Sequence, residues 1–410
     1  MPSLYVPLTG LESSSEALSV TSNNLANLNT IGFKSQRALF GDLFYQQVGT
    51  AGDGDETQIG LGAAVDSVDS QFTEGSIQAS GVPTDVAIQG DGFFVVQQGG
   101  ETLYTRAGDF TTNSTGELLT QDGAQVLGYQ ATNGVVNAAA TLSPLSITIG
   151  QSNSPVPTAN VDLALNLNSN TAVGGTFSTS VAVYDSLGNS HVLTYTFTNT
   201  APNNWNYAIT IPAADTTGGV TAVANGALTF NGAGQLLTPA ADVTGIALPA
   251  LADHASAQTF NWNLFSSPGV PNVTQVAAPS ATSSTNQDGF ASGTLSSYLI
   301  NSDGTIQGTF SNGQTLTIGQ IALASFQNDQ GLVRNGTNNF LSSISSGEPS
   351  LGAPGTGGRG SLSGGSLEES NVDLATQFAN LIIEERSYQA NAKAVTTFDE
   401  VTQAAIQLIP

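Results

Sequence analysis

The chemistry open to this chain is narrow. It has two histidines, His191 and His254, and no cysteine, which removes disulfides, thiolate metal sites and cysteine nucleophiles together. His191 sits in a strand pattern and His254 in an Ala-rich segment, neither with flanking metal-ligand spacing. No G-x-S-x-G elbow points to a serine nucleophile, although a Ser-His-Asp triad assembled from distant residues stays open. Asp53-Gly54-Asp55-Glu56 begins like a calcium loop, but Gln58 stands where that loop needs Gly and Ala64 where it needs Glu, so it reads as a solvated acidic loop. Gly355-Thr356-Gly357-Gly358-Arg359-Gly360 matches G-x-G-x-x-G, yet it lies beside Pro354 in a Ser/Gly-rich stretch with no strand before it and reads as a linker. Lys34 and Lys393, the lysines of the chain, follow no Gly-rich phosphate loop. The expectation is a protein with no catalytic residue, no metal and no cofactor, and not an enzyme.

Composition narrows the partners. Of 410 residues, 7 are Lys or Arg and 31 are Asp or Glu, a formal net charge of −24. Such a chain lacks the clustered cations that nucleic-acid phosphates require. Only 9% of residues are charged, against about 25% in ordinary domains, so solubility rests on Ser, Thr, Asn, Gln and Gly. The segment Met1 to Pro7 has no basic residue and no long apolar run, so it does not read as a cleavable secretory signal. No stretch reaches the roughly 18 apolar residues of a membrane span, which predicts no membrane insertion.

Two elements at the ends carry helical periodicity. Leu4, Leu11, Leu18 and Leu25 recur every seven residues, with Leu8, Ser15 and Ser22 interleaved, which predicts a helix from about Pro7 to about Leu28 with one apolar stripe. Pro7 belongs in its first turn or just outside it. Leu374, Phe378, Leu381, Tyr388, Ala392, Val395, Phe398, Ala405 and Leu408 keep spacings of three, four or seven and predict a second long helix, with Ser370-Asn371 as cap and Asp373 in its first turn. The stripes suit either a hairpin of the two helices or contact with other copies of the chain. A narrow stripe meeting a single partner helix is marginal, which favours further neighbours. After the first helix, Asn23, Asn24, Asn27 and Asn29 are placed to end it and shape the turn into Gly32 and Phe33. Ordinary capping and amide bonds to a neighbouring subunit are both open readings of that cluster.

The interior reads as strands and turns. Residues 85 to 130 alternate in the strand period, as in Phe93-Phe94-Val95-Val96 and Tyr104-Thr105-Arg106. In 150 to 285, His191, Leu193, Tyr195 and Phe197 share one strand face, and Pro/Ser clusters mark both ends of the region. Residues 295 to 345 return to the first pattern, with Leu323-Ala324-Ser325-Phe326 as a buried strand. The fold expected is mainly β with long terminal α-helices that pair as a coiled-coil domain, followed by nested antiparallel β domains. The division expected is 1–35 with 366–410 for the helices, 36–75 with 346–365 as extended linkers, 76–150 with 285–345 as an inner β domain, and 151–284 as an inserted outer one.

The run from Leu18 to Lys34, with its Asn-Asn-Leu-Ala-Asn and Gly-Phe-Lys, resembles the N-terminal signature of the bacterial flagellar rod and hook axial proteins. Gln89-Gly90-Asp91-Gly92-Phe93-Phe94, Tyr104-Thr105-Arg106-Ala107-Gly108, Phe326 to Leu332, Gly365 to Leu374 and Glu385 to Lys393 agree with that family in order. Val6-Pro7 and Thr21-Ser22 depart from the usual pattern. The resemblance implies an extracellular subunit of the flagellar basal body and hook, exported by the flagellar export apparatus without a cleaved signal. It implies self-assembly into a helical tube that transmits motor torque, and rod, hook cap and hook–filament junction proteins as neighbours. The insert at 151–284 points to the hook branch; a distal-rod-like protein is the near alternative. A secreted β-rich adhesin or carbohydrate-binding module is the distant one, suggested by the acidic, Thr/Asn-rich middle with Trp205 and Trp262.

Overall fold

The structure, a computed structural model, describes residues 4–50, 56–132, 134–267 and 269–407. Leu408 and the acidic residues Asp53 and Asp55 lie outside them, as does the side chain of Ala405. The chain divides into two compact units, one of residues 1–148, 297–308 and 315–410, the other of residues 149–296 and 309–314.

The first unit holds both long helices. Helix α1 runs Tyr5–Ala26, with Pro7 in its first turn, where a missing N–H costs no helical bond. Helix α2 runs Leu374–Gln407. It opens on Asp373, whose Oδ1 accepts the backbone N–H of Thr376 at 2.6 Å. That is the N-cap geometry, so Asp373 caps the helix and Asn371, expected to do so, is used elsewhere. Within 36–75, expected to be linker or extended segments, the chain is extended in two antiparallel pairs, Gln36–Asp42 with Ala63–Ser70 and Tyr45–Thr50 with Glu56–Gly60. The β module pairs Phe93–Gln98 with Glu101–Thr105 and with Gln125–Thr132, and Gln125–Thr132 with Thr315–Ile321. Strand Leu323–Ser325 adds to Phe93–Phe94. Alternation puts Phe93, Val95, Tyr104, Leu127 and Phe340 into one core, where Tyr104 and Phe326 meet edge to face at 4.8 Å.

The second unit is a sandwich of two five-stranded sheets among the described residues. One contains Asn160–Asn168, Val243–Ala247 and Thr259–Asn263; the other is the meander Thr176–Tyr184, Ser190–Ala201, Asn204–Thr210, Ala222–Phe230 and Leu236–Thr238. Leu193, Tyr195 and Phe197 point inward with Trp205 and Trp262, all fully buried. The Tyr195 and Trp262 rings meet edge to face at 5.2 Å.

Candidate functional site

The residues after α1 fold into a crossover whose backbone is gripped from many sides. Asn27 is the C-cap, and its Nδ2 returns to the carbonyl of Asn23 at 2.9 Å. Asn24 turns the other way: buried, it accepts the N–H of Gln36 at 2.8 Å and donates to the carbonyl of Gln36 at 2.7 Å, taking the place of a strand partner. Asn29 is exposed. Gly32 adopts φ +65° and donates to the Glu368 carbonyl at 2.8 Å, and a Cβ there would lie 2.6 Å from the backbone carbon of Arg106. Only glycine tolerates both the left-handed conformation and that approach.

Phe33 and Lys34 follow into the interior. The Arg334 guanidinium lies 5.4 Å over the Phe33 ring and donates to the Lys34 carbonyl at 2.7 Å. Lys34 is fully buried, with Nζ bonded to the Thr73 carbonyl at 2.8 Å and paired with Glu368 Oε1. Glu368 Oε1 also takes the N–H of Gly75 at 2.8 Å, while Oε2 faces Arg106 Nη1 at 3.5 Å. Arg106 Nη2 reaches the Gly90 carbonyl at 2.8 Å. Asn371 accepts the N–H of Ser35 at 2.7 Å and donates to the Gln71 carbonyl at 2.7 Å. Burial pulls the Lys34 ammonium below its ordinary range, against the attraction of Glu368. This joint ties the start of the chain, the β module and the entry to α2 together. Sequence reasoning quoted Lys34, Arg106 and Glu368 in motifs without giving them a role; the scarcity of lysine, two in 410 residues, with one directly after Phe33, was the signal.

The helix pair departs from the leucine expectation. On α1 the buried residues are Pro7, Ser13, Ser14, Ala17, Thr21 and Asn24. Ser14 Oγ meets Ser387 Oγ at 3.1 Å, Thr21 Oγ1 donates to Glu384 at 3.0 Å, and Asn24 to Gln377 at 3.3 Å. A Cβ on Gly10 would lie 2.9 Å from Asn391 Nδ2. The antiparallel seam within the chain is therefore small and polar. Leu11, Leu18 and Leu25 each sit one residue beyond Gly10, Ala17 and Asn24, rotated about 100° around the axis. As an intrachain seam the leucine stripe is corrected: Leu4 and Leu8 are exposed, and Leu11, Leu18, Leu25 and Leu28 are half-buried. On α2, Leu381, Ala392, Val395 and Phe398 are half-buried, while Leu374, Phe378 and Tyr388 are exposed together with Ile382 and Ile383, which sequence reasoning missed although they continue the Leu381 run. The paired strands at 36–70 add Phe40, Tyr45, Ile59 and, at 87% exposure, Phe44.

Trp205 and Trp262, offered as a sugar-binding platform, lie wholly inside the second unit. That removes their support for the adhesin reading, because a platform has to meet solvent.

Family models match along the chain: a flagella basal body rod protein model at residues 4–34, a flagellar hook protein FlgE/F/G D1 domain at 87–164, a flagellar basal body protein FlaE D2 domain at 151–290 and a flagellar basal body rod FlgEFG C-terminal model at 363–408. A flagellar hook protein FlgE of Treponema pallidum is 34% identical over 461 residues, covering 100% of this chain and 99% of its own. The Escherichia coli FlgE is 35% identical with 98% of each chain covered. The chain belongs to the flagellar hook protein FlgE family. Hook subunit is the function that membership carries, and this is a family of structural proteins, not of enzymes. A crystal structure of Helicobacter pylori FlgE2 shares the fold at a TM-score of 0.52, with 16% identity over 71% of this chain and 99% of that one. No helix among the described residues is long and apolar enough to cross a membrane.

Proposed function

We propose that this chain polymerises through the apolar side chains its own helix seam leaves free, Leu4, Leu8, Leu11, Leu18, Leu25 and Leu28 of α1 with Leu374, Phe378, Leu381, Tyr388, Ala392, Val395 and Phe398 of α2, to form the helical tube of the hook. The observation that carries this is the division of labour on the terminal helices. Small polar residues fill the intrachain contact, and Leu, Ile and Phe remain outside it. In water, those side chains gain about 1.5–3 kcal/mol each when a neighbouring copy covers them. Coiled-coil packing of the helices arises between copies in this reading, and Asn23 and Asn29 lie at the helix end where a neighbour's backbone would pass. The tube acts as a bendable coupling that carries motor torque to the filament. Its ends meet rod, hook cap and hook–filament junction proteins, and its subunits reach the cell exterior through the flagellar export apparatus.

Sedimentation and electron microscopy of purified protein at rising concentration test this. Leu18→Asp places a carboxylate in the seam between copies, and should abolish sedimenting tubes while circular dichroism shows the β content intact. Glu12→Ala, at an exposed position off the stripe, should assemble like the parent. Equal assembly of the two variants sinks the reading.

A further inference from the structure

The second unit contains Asp162, Asp185, Asp215, Asp242, Asp253 and Asp288, no glutamate, and neither lysine nor arginine. Three of those aspartates close on a single imidazole. His191 Nε2 lies 3.3 Å from Asp185 Oδ2 and 3.3 Å from Asp253 Oδ2, and Nδ1 lies 3.2 Å from Asp215 Oδ2. Ionised carboxylates only accept hydrogen bonds, so both ring nitrogens must donate, which the neutral ring cannot do. Asp185 is itself fully buried, its Oδ1 holding the N–H groups of Leu187 and Asn189 at 2.8 Å. Asn189 Nδ2 links Asp185 Oδ2 at 3.3 Å to Asp253 Oδ2 at 3.1 Å.

We propose that His191 is a protonation-gated clasp: its charged ring ties the Asp185–Asn189 turn to the segments carrying Asp215 and Asp253, and loss of its proton unties them. This device goes beyond assembly and acts on the stability of the second unit. The charged groups facing the ring from these elements are the three aspartates, and the remaining histidine, His254, is exposed beside Asp253. Burial works against the charge on His191, but the hydrogen bonds to Asp215 and Asp185 and the attraction of Asp215 and Asp253 outweigh it and hold the ring above its ordinary value. Burial would raise Asp185, and its contact with Asp253 and the hydrogen bonds it accepts from Asn189, His191 and Leu187 overcome that and lower it to about 2. For a base held above its unfolded value, the stabilisation is complete below the ordinary value of 6.5 and is lost as pH rises through the folded one. For the lowered carboxylate it is present above 3.8 and is lost as pH falls towards about 2. The clasp therefore holds in mildly acid solution and loosens as pH rises through the folded midpoint of His191, which lies above 6.5.

The full-length protein offers a direct test. His191 and His254 are its histidines and Trp205 and Trp262 its tryptophans, so ring NMR signals and tryptophan fluorescence both report on this unit. The His191 ring should titrate above the ordinary 6.5. The unfolding constant from tryptophan fluorescence in urea should rise up to ~10-fold per pH unit between the unfolded and folded midpoints of one titrating group. His191→Gln should flatten that slope. If that variant does not fold, Asp215→Asn keeps the test: losing one carboxylate should shift the His191 midpoint down towards the ordinary 6.5. A His191 midpoint at or below 6.5 in the parent, a pH-independent unfolding constant, an unchanged slope in His191→Gln or an unmoved midpoint in Asp215→Asn each overturns the clasp.

Discussion

The joint around Lys34 and the cluster around His191 solve the same problem with opposite means. Of the chain's 7 Lys and Arg, three (Lys34, Arg106 and Arg334) meet at the joint, and the second unit has none. At the joint, one carboxylate, Glu368, lies between two buried cations. In the second unit, three carboxylates share one ring, held above its ordinary value, whose charge is lost as pH rises through the folded midpoint. The difference teaches where a fold needs permanence. The joint carries the chain from the terminal helix into the β module, whereas the His191 cluster fastens the Asp185–Asn189 turn to the segments that carry Asp215 and Asp253.

The strongest way to break the contrast is Glu368→Ala. Removing the shared carboxylate leaves Lys34 buried without a counter-charge and frees the N–H of Gly75. Loss of one partner from a buried pair costs about 3–5 kcal/mol. Hydrogen exchange should show residues 31–36 and 366–372 losing protection together, with tryptophan fluorescence from the second unit unmoved. Retained protection at 31–36 would mean that the side-chain bonds to the backbone from Arg334 and Asn371, and from Asn338 Nδ2 to the Ile31 carbonyl at 2.7 Å, suffice without the charges.

Gly32→Ala should follow at about 1–3 kcal/mol, from a strained backbone conformation with the Arg106 main chain in the way of the new methyl. Calorimetry of the first unit would read it, and a gain in stability would show that the crossover moves freely.

A pH scan sharpens the contrast through its sign. Lys34 is held below its ordinary 10.5, so the unfolded chain binds that proton more readily, and the stability of the joint rises as pH climbs through the folded value towards the ordinary one. His191 has the opposite shift, and the stability of the second unit falls as pH rises through its folded value. Helix dichroism and tryptophan fluorescence followed from neutral into alkaline solution should therefore diverge, the first steady or rising and the second falling. Parallel changes would contradict one of the two assignments.

Much of this was legible in the sequence where one period repeats over many residues. The heptad of leucines announced α1, and the alternation from His191 to Phe197 announced a strand with its inward face. What could not be read is which groups meet. Ser14, Thr21 and Asn24 carry no hydrophobic signal, yet they form the helix seam because close approach demands small side chains. Lys34 and Glu368 are 334 residues apart, and nothing local pairs them. His191 looked like a lone strand residue because its partners arrive from three other segments. The tryptophans misled for the reverse reason: a large aromatic in a polar stretch suggests a binding platform, and only the sheet register shows it turned into the core.

The smallest effect concerns the helix seam, where charge sits with no cation at all. Glu384 accepts from Thr21 through Oε1, and its Oε2 is buried without a hydrogen-bond partner. Burial pushes its carboxyl above the ordinary 4.5, against the Thr21 bond. With the folded value raised, the folded state holds the proton more readily. The helix pair is therefore most stable in acid and weakens as pH rises from 4.5 through the folded value. Glu384→Gln removes the charge, keeps an acceptor for Thr21 and adds a donor, so it should stabilise the pair at neutral pH by at most about 1 kcal/mol. The gain should disappear in acid, where the parent is already protonated. Thermal unfolding followed by the helix signal at both pH values decides it: an equal gain at both would place the benefit in packing, and a loss at neutral pH would show that the ionised carboxylate is needed in the seam.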